Sequence, residues 1–308
     1  MTGNAVRQKA KSKRWLRHWQ LWLMVLPPVA YLVIFCYIPM GGVIMAFKDY
    51  SLKAGILASP WVGLKHFNNF IGSPLFGNLM RNTIVLSVYQ FVAGFFIPII
   101  LALFMNEVGK KLFKKSAQMI TFFPYLISVV VLTGILLQFL GPNGGFVNNI
   151  ITMFGGKSRD FMADPKLFRH IYVWSGVWQT AGYNAVIYIA ALSSVDTQLV
   201  ESAILDGVTR IQRIRYIDLP AIAPTVTIML LLGIGGIMSI GYEKAYLMQN
   251  NLNLDVSELI STYIYKRGLL NFQFSYSTAI GLFNSAVNFI LLFAANFISK
   301  RVSQTSLW

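Results

Sequence analysis

Charged side chains are scarce in this sequence, and that shortage decides its class. Only 12% of the 308 residues are Asp, Glu, Lys or Arg, while 56% are hydrophobic. Soluble domains average about 25% charged residues and about 45–50% apolar residues. The composition therefore indicates a membrane protein rather than a soluble domain.

Residues suited to catalysis and metal binding are also few. Cys36 is the only cysteine, which excludes a disulfide within the chain and a cysteine-based metal site. The three histidines, His18, His66 and His170, do not stand at the spacing of metal ligands. Motifs of the Gly-x-Ser-x-Gly and His-Glu-x-x-His types are absent. The sequence therefore predicts no enzyme activity and no cofactor bound by this chain.

The sequence also lacks a nucleotide site and a chain of groups that could relay protons. Gly155-Gly-Lys-Ser158 is part of a phosphate-binding pattern, but Ile151 stands where that pattern needs its first glycine. The cores of the apolar segments contain no Asp, Glu, Lys or Arg, whereas ion-coupled carriers usually place ionisable groups there. The sequence therefore predicts a passage for a neutral or hydrogen-bonding solute, driven by an ion gradient or by another subunit.

Six apolar stretches are long enough for the roughly 20 residues that a membrane-crossing helix needs. They are residues 21–47, 83–105, 117–140, 171–192, 221–241 and 276–298. The fourth is polar for a span. The predicted fold class is an all-α polytopic membrane protein with about six transmembrane helices. Its predicted parts are a basic tail at 1–20, a transmembrane domain at 21–301 and a C-terminal tail at 302–308.

Lys and Arg are unevenly shared between the two sides that these spans create. They are dense in the N-terminal tail, at 110–115, at 210–215 and at 300–301. Cytoplasmic loops carry the excess of Lys and Arg, so both termini and the loop at 195–220 are predicted to be cytoplasmic. The longer loops at 48–82, 141–170 and 242–275 then lie outside. The net charge of +15 is attributed to basic residues that face anionic membrane lipid, and no nucleic-acid partner is expected.

The loop at 195–220 is longer than a connector between two spans requires. Its pattern predicts two short helices joined near Gly207, where a glycine permits a sharp bend or close approach by another backbone. Pro220 is expected to end the second helix or to begin the next span. A partly amphipathic element of this kind fits a protein groove and the lipid surface equally well.

A motif with fixed spacing lies within this loop. Glu201-Ser-Ala203-Ile-Leu-Asp206-Gly207 is followed by Ile217-Asp-Leu219-Pro220 and by Pro224. The pattern resembles the EAA loop of binding-protein-dependent ABC-importer permeases, in the sugar branch that includes the maltose permeases. Ser202 stands where that family usually has Ala. The resemblance extends over about residues 15–301 and is closest to permeases for complex oligosaccharides such as aldouronates.

The resemblance implies that the chain is the transmembrane permease subunit of an ATP-driven importer in the bacterial cell membrane. It implies four kinds of partner: a second homologous permease, two ATPase subunits that hold ATP and Mg, an extracytoplasmic solute-binding lipoprotein and an oligosaccharide. The residues implied in ATPase coupling are Glu201, Ala203, Asp206, Gly207, Leu219 and Pro220. A stand-alone secondary sugar transporter or channel is the alternative function.

A sugar pathway needs aromatic platforms beside hydrogen-bonding side chains. The fourth and sixth predicted spans supply both kinds of residue. The candidate substrate-pathway residues are Trp178, Tyr183, Asn184, Asn284 and Asn288. In the alternative interpretation the tryptophan belongs to an interfacial belt and the asparagines bond to neighbouring helices.

Overall fold

Helices dominate the structure, a computed structural model that describes residues 19–302. Within this range the only β contact is an isolated antiparallel bridge between Lys48 and Trp61. The predicted all-α fold class is therefore confirmed. The predicted terminal tails lie outside the described residues, apart from residues 19, 20 and 302.

The helices are numbered here in chain order. They are α1 (Trp19–Phe47), α2 (Gly55–Ala58), α3 (Lys65–Ile71), α4 (Phe76–Glu107), α5 (Lys111–Leu126), α6 (Val129–Leu140), α7 (Phe146–Met153), α8 (Pro165–Ser193), α9 (Thr197–Leu205), α10 (Arg210–Gly235), α11 (Tyr242–Met248), α12 (Leu254–Ser257), α13 (Ile260–Tyr265) and α14 (Phe274–Val302). A π-helical turn, Lys266–Leu270, follows α13.

The number of membrane spans differs from the predicted six. Among the described residues, α1, α4, α10 and α14 are long and apolar enough to cross a membrane, and α5 with α6 makes a fifth if the bent pair is one span. The fourth predicted span lies in α8, which has 29 residues but is more polar than those four helices. A count of six spans is therefore not confirmed.

The third predicted span, at 117–140, is broken. α5 and α6 meet at an angle of 93°. The break lies at Ile127, whose backbone is extended, and at Ser128, whose hydroxyl oxygen accepts the N–H of Val131 at 3.3 Å. A side chain that caps the first turn of α6 fixes a new helix start there. The apolar run in the sequence hides this break because both helices are apolar near it.

The centre of the structure is the pair α4 and α8. Near the start of α8 the buried cluster includes Leu86, Phe168 and Val173, and near its end Ile99 and Ala185 are buried together. In contrast, Ala46 is the only buried side chain of α1. The surface of α1 is therefore left for lipid or for another chain.

Gly182 allows α8 to touch the backbone of α5. A Cβ atom at this position would overlap with the carbonyl oxygen of Thr121. Beside this crossing the rings of Tyr125 and Tyr183 stack with their centroids 3.9 Å apart. The missing side chain at Gly182 therefore sets how closely α8 approaches the broken span.

We expect Gly182→Ala to lower the stability of the purified protein by roughly 1–3 kcal/mol, because two backbones must separate to admit the methyl group. Thermal unfolding in detergent measures this loss. Gly134→Ala is the matched control, since Gly134 lies in α6 and a Cβ atom there would meet nothing within 4 Å. Equal melting temperatures for the two variants would contradict the packing described for Gly182.

α10 extends from the 195–220 loop into the apolar region without interruption. The prediction that Pro220 lies at the start of the next span is confirmed, because regular α-helix resumes at Leu219 with Pro220 in its first turn, although the helix runs without a gap from Arg210 to Gly235. The helix widens into a π-helical turn at Ile214–Asp218, where the N–H of Leu219 donates to the carbonyl of Ile214. A widened turn accommodates the proline ring and its missing N–H group.

At the other end of α4, the loops predicted to lie outside pack onto the helix ends. The Nδ2 atom of Asn82 donates to the carbonyl oxygens of Asp255 at 2.7 Å and Glu258 at 3.2 Å. The Oδ1 atom of Asn82 accepts from Nη2 of Arg169 at 3.0 Å. Asn82 therefore joins the starts of α4 and α8 to the 242–275 segment.

Candidate coupling and substrate sites

The 195–220 loop folds as predicted, as two helices on either side of Gly207. Asp196 begins α9, since its carboxylate accepts the N–H of Gln198 at 2.9 Å. Gly207 ends α9 with a φ of 75°, a left-handed conformation that favours glycine. The N–H of Gly207 donates to Ile204 at 3.1 Å and that of Val208 to Ala203 at 3.1 Å. These two bonds form a Schellman motif.

A second capping motif begins the next helix immediately. The backbone N–H of Thr209 donates to Oε1 of Gln212 at 2.9 Å, and the hydroxyl oxygen of Thr209 accepts the N–H of Gln212 at 3.4 Å. This reciprocal pair is a capping box. The turn between α9 and α10 is therefore specified by the backbone bonds of the Schellman motif at Gly207 and by the capping box of Thr209 and Gln212.

The residues implied in ATPase coupling lie on the surface of this helical pair. Glu201, Asp206 and Gly207 are exposed, and Ala203 is half-buried. Leu219 and Pro220 are exposed where regular α-helix resumes in α10, after the π-helical turn. Large apolar side chains are exposed beside them, and they are Leu199, Ile204, Leu205 and Ile211. The loop thus presents apolar and acidic groups together on a rigid support.

An ion-pair network, not predicted from the sequence, ties this loop to α4. Arg213 Nη2 pairs with a carboxylate oxygen of Glu107, and Arg213 Nε lies 3.4 Å from Oδ2 of Asp218. The side chain of Asp218 is only 3% exposed and that of Arg213 only 17%. Arg210 reaches Glu107 at 4.0 Å but is 83% exposed, so it contributes little. Arg213 therefore joins the last turn of α4 to the start of α10.

Of the predicted substrate-pathway residues, Asn184 lines a cleft. This cleft has a volume of about 190 Å³ and lies between α4, α8 and α10. Its lining includes Gln90, Asn184, Tyr188 and Met229. Asn184 and Gln90 supply amide groups, and Tyr188 supplies an aromatic ring. The cleft thus contains the two kinds of group that a sugar site needs.

The two asparagines of α14 bond to the chain just beyond α10. Oδ1 of Asn288 accepts the N–H of Met238 at 2.9 Å, and Nδ2 of Asn288 donates to Oγ of Ser239 at 2.7 Å. Nδ2 of Asn284 donates to the carbonyl of Met238 at 3.2 Å, while its buried Oδ1 has no partner among the described residues. These bonds follow the alternative interpretation, in which the asparagines join neighbouring helices.

The two predicted aromatic residues lie away from the Asn184 cleft. Trp178 is 55% exposed on the surface of α8. Tyr183 stacks on Tyr125 of α5. Neither is among the residues that line the cleft. The structure therefore brings together Asn184 and Gln90, but it does not bring Trp178 or Tyr183 to them.

A second cleft contains a buried cation. It has a volume of about 330 Å³, and its lining includes Gln90, Tyr172, Gly176, Thr180 and Lys244. Gln90 thus lines both clefts. Lys244 lies in α11, nine positions after the end of α10, and its side chain is buried where it reaches the carbonyl oxygen of Tyr172 in α8. No local pattern signals such a long-range contact.

The chain is similar to known transport proteins over nearly its full length. Residues 94–304 match the family described as binding-protein-dependent transport system inner membrane component. The chain is 40% identical to the polygalacturonan/rhamnogalacturonan transport system permease protein YteP of Bacillus subtilis (strain 168), over 98% of this chain and 95% of that protein. It is 38% identical to the protein LplB of the same organism, over 97% of this chain and 92% of that protein.

Solved structures agree with the sequence relatives. One chain of a bacterial ABC transporter involved in the import of the acidic polysaccharide alginate superposes with a TM-score of 0.87 at 38% identity, covering 94% of this chain and 98% of that chain. A second structure of such a transporter, in complex with an alginate pentasaccharide-bound periplasmic protein, gives 0.87 at 37% identity, covering 96% of this chain and 99% of that chain.

A chain of the MetNI methionine ABC transporter shares the fold alone, with a TM-score of 0.53 at 14% identity, covering 75% of this chain and 99% of that chain. The match to the family covers well over half of the chain. Two relatives are 40% and 38% identical to it along almost its full length. This chain therefore belongs to the binding-protein-dependent inner-membrane component family, as a multi-pass permease subunit of an ABC importer that is not itself an enzyme.

Proposed function

We propose that this permease imports acidic oligosaccharides that contain uronic acids. Two of its similar proteins carry names that specify acidic polysaccharides, namely polygalacturonan or rhamnogalacturonan in one case and alginate in the other. Both similarities extend over at least 94% of the chain, including the helices that line the two clefts. That shared substrate chemistry supports a uronate-containing fragment, and it narrows the neutral or hydrogen-bonding solute that the uncharged spans predict.

The importer is proposed to contain a second permease, two ATPase subunits and a solute-binding lipoprotein. The observation that carries ATPase docking is the α9–α10 pair, which is capped on both sides of Gly207 and exposes Leu205 and Glu201, while Arg213 ties the start of α10 to α4. A mobile connector could not transmit a displacement, whereas this support can. The membrane-surface alternative for the loop gives no reason for the ion pairs between Arg213, Glu107 and Asp218.

Uptake of a defined acidic sugar tests the substrate class. In bacteria that carry this chain together with its companion permease, ATPase and binding protein, we expect accumulation of labelled trigalacturonate against a gradient. Deletion of the gene for this chain is expected to reduce accumulation to background, and the unaltered gene is expected to restore it. Restoration of neutral maltotriose uptake without trigalacturonate or alginate-trisaccharide uptake would contradict the proposal.

The same cells separate ATP-driven import from a stand-alone carrier. A substitution that removes ATP hydrolysis by the partner ATPase is expected to abolish accumulation, because the permease has no recognisable nucleotide site of its own. Accumulation that continues in this strain and stops when an uncoupler dissipates the ion gradient would instead support a secondary transporter.

A further inference from the structure

Lys244 is held in an environment that is unusual for a lysine. Only 8% of the residue is exposed. Its Nζ donates to the carbonyl oxygen of Tyr172 at 2.8 Å and lies 4.7 Å from the centroid of the Tyr172 ring. An ammonium group has three N–H donors, so this arrangement leaves donors for a further acceptor.

The charge of Lys244 has no carboxylate partner. Among residues 19–302 the ion pairs do not include Lys244, and Glu243, which also lines the cleft, is exposed. Burial lowers the pKa of Lys244 to about 7, because desolvation disfavours its charged form. An unpaired buried ammonium group is costly, and an anion that enters the cleft would compensate it.

Gln90 and Lys244 converge on the space that Gly176 leaves open. A Cβ atom at position 176 would lie 3.1 Å from Nε2 of Gln90, 3.2 Å from its Oε1 and 3.2 Å from Nζ of Lys244. Oε1 of Gln90 is buried and has no hydrogen-bond partner among the described residues. An unpaired acceptor and a cation therefore stand side by side, which matches a ligand that carries both a hydroxyl group and a carboxylate.

The cleft is large enough for a small polar ligand and continues toward Asn184. Its volume of about 330 Å³ falls within the range of roughly 300–1,000 Å³ for small-molecule sites. Gln90 also lines the Asn184 cleft of about 190 Å³, so the two clefts adjoin at this side chain. When one sugar unit is bound at Lys244, the adjacent unit of the oligosaccharide would therefore lie within reach of the amide groups in the Asn184 cleft.

We propose that Lys244 and Gln90 form a subsite for one uronic acid unit, with the ammonium group bound to its carboxylate and the Gln90 carbonyl accepting one of its hydroxyl groups. The inference rests on the proposed import of acidic oligosaccharides and names the residues that recognise their charge. Both contacts are non-covalent, so the unit can move on to the Asn184 cleft. Charge-assisted hydrogen bonds of this kind are the stronger class of hydrogen bond.

Lys244→Met tests the subsite with two probes of equal length. The probes are labelled trigalacturonate and its carboxyl-reduced form, trigalactose, supplied to cells that contain the complete transporter. We expect the variant to lower the rate of trigalacturonate uptake about ten- to hundredfold, the effect of one lost hydrogen bond to a charged group. Trigalactose uptake, measured at high concentration, is expected to change less than twofold. An equal loss for both probes would show a structural role and overturn the subsite.

Two further variants keep the test independent of folding defects. Gly176→Ala keeps the positive charge but places a methyl group between Gln90 and Lys244, whose flexible ends can move aside. We expect it to weaken trigalacturonate uptake by about threefold to tenfold with unchanged trigalactose uptake. Lys53→Met removes the same positive charge as Lys244→Met, but at an exposed side chain that lines neither cleft, and is expected to leave trigalacturonate uptake at the wild-type rate. A loss in Lys53→Met equal to that in Lys244→Met would overturn the specific assignment.

Failure of the substrate class is distinguishable from failure of the subsite. Wild-type cells that take up trigalactose but neither trigalacturonate nor an alginate trisaccharide would refute the proposed function. Wild-type cells that take up trigalacturonate, with Lys244→Met cells that do so equally fast, would refute the subsite alone. Membrane-fraction blots and basal ATPase activity establish that each variant is inserted and assembled.

Discussion

Arg213→Ala is expected to abolish ATP-driven uptake. The substitution removes the only side chain that contacts both Glu107 and Asp218 among the described residues, and Asp218 is 3% exposed. Removing one partner from a buried ion pair costs about 3–5 kcal/mol, because the remaining charge is left without compensation. The base of α10 would then separate from α4, and a displacement of the loop would no longer reach the helices that line the clefts.

Uptake of labelled oligosaccharide and co-purification of the ATPase measure the outcome. Arg210→Ala is the matched control, because it removes the same charge from the same helix at a side chain that is 83% exposed. We expect near wild-type uptake in Arg210→Ala and background uptake in Arg213→Ala. If both variants transport equally well, the network does not join the loop to α4 in the way described.

Leu205→Asp is expected to release the ATPase subunits without unfolding the permease. Leu205 is 87% exposed at the end of α9, so the folded chain alone gains little from its apolar side chain. An apolar residue at the centre of a protein interface costs about 2 kcal/mol or more when lost, which is roughly a 30-fold weaker interaction. Introducing a carboxylate adds a desolvation cost at the same position.

Co-purification and thermal unfolding separate docking from stability in this variant. Leu57→Asp is the control, because Leu57 is 91% exposed and lies in α2, in the segment predicted to be outside. We expect unchanged melting temperatures in both variants and ATPase loss in Leu205→Asp only. A single cysteine at position 205, in a chain with Cys36→Ser, should also crosslink to the ATPase. Retained ATPase in Leu205→Asp and no crosslink would place the docking surface elsewhere.

The local structure of the coupling loop is largely readable from the sequence. Gly207 predicts the turn because only glycine adopts its φ of 75° without strain. The helices on either side follow from caps within a few residues, such as Asp196 and Thr209. Pro220 stands in the first turn of regular α-helix as predicted, but the sequence does not reveal the π-helical turn before it that keeps α10 continuous. Propensity describes what a residue prefers, and a widened turn removes the clash on which that preference rests.

Long-range contacts are the part that the sequence does not reveal. Glu107 and Arg213 are 106 positions apart, and neither stands in a pattern that names the other. Asn184 was identified by residue type and lies in a cleft, whereas Asn288 has the same residue type and bonds to the backbone after α10. No pattern around Lys244 indicates that its side chain reaches the carbonyl oxygen of Tyr172, 72 positions earlier in the chain. Residue type indicates which chemistry is available, and packing decides whether a ligand or the chain itself uses it.

Because α10 is one continuous helix, a small tilt at one end would produce a large displacement at the other. Its 26 residues correspond to a length of about 39 Å. Just beyond its C-terminal end, Asn288 bonds to the backbone of Met238 and to the hydroxyl of Ser239, which would hold this end in place. A tilt of only about 10° around this end would displace Arg210 by about 7 Å for a rod of this length. A small rotation of α10 would thus accompany a large displacement of the loop that is proposed to dock on the ATPase.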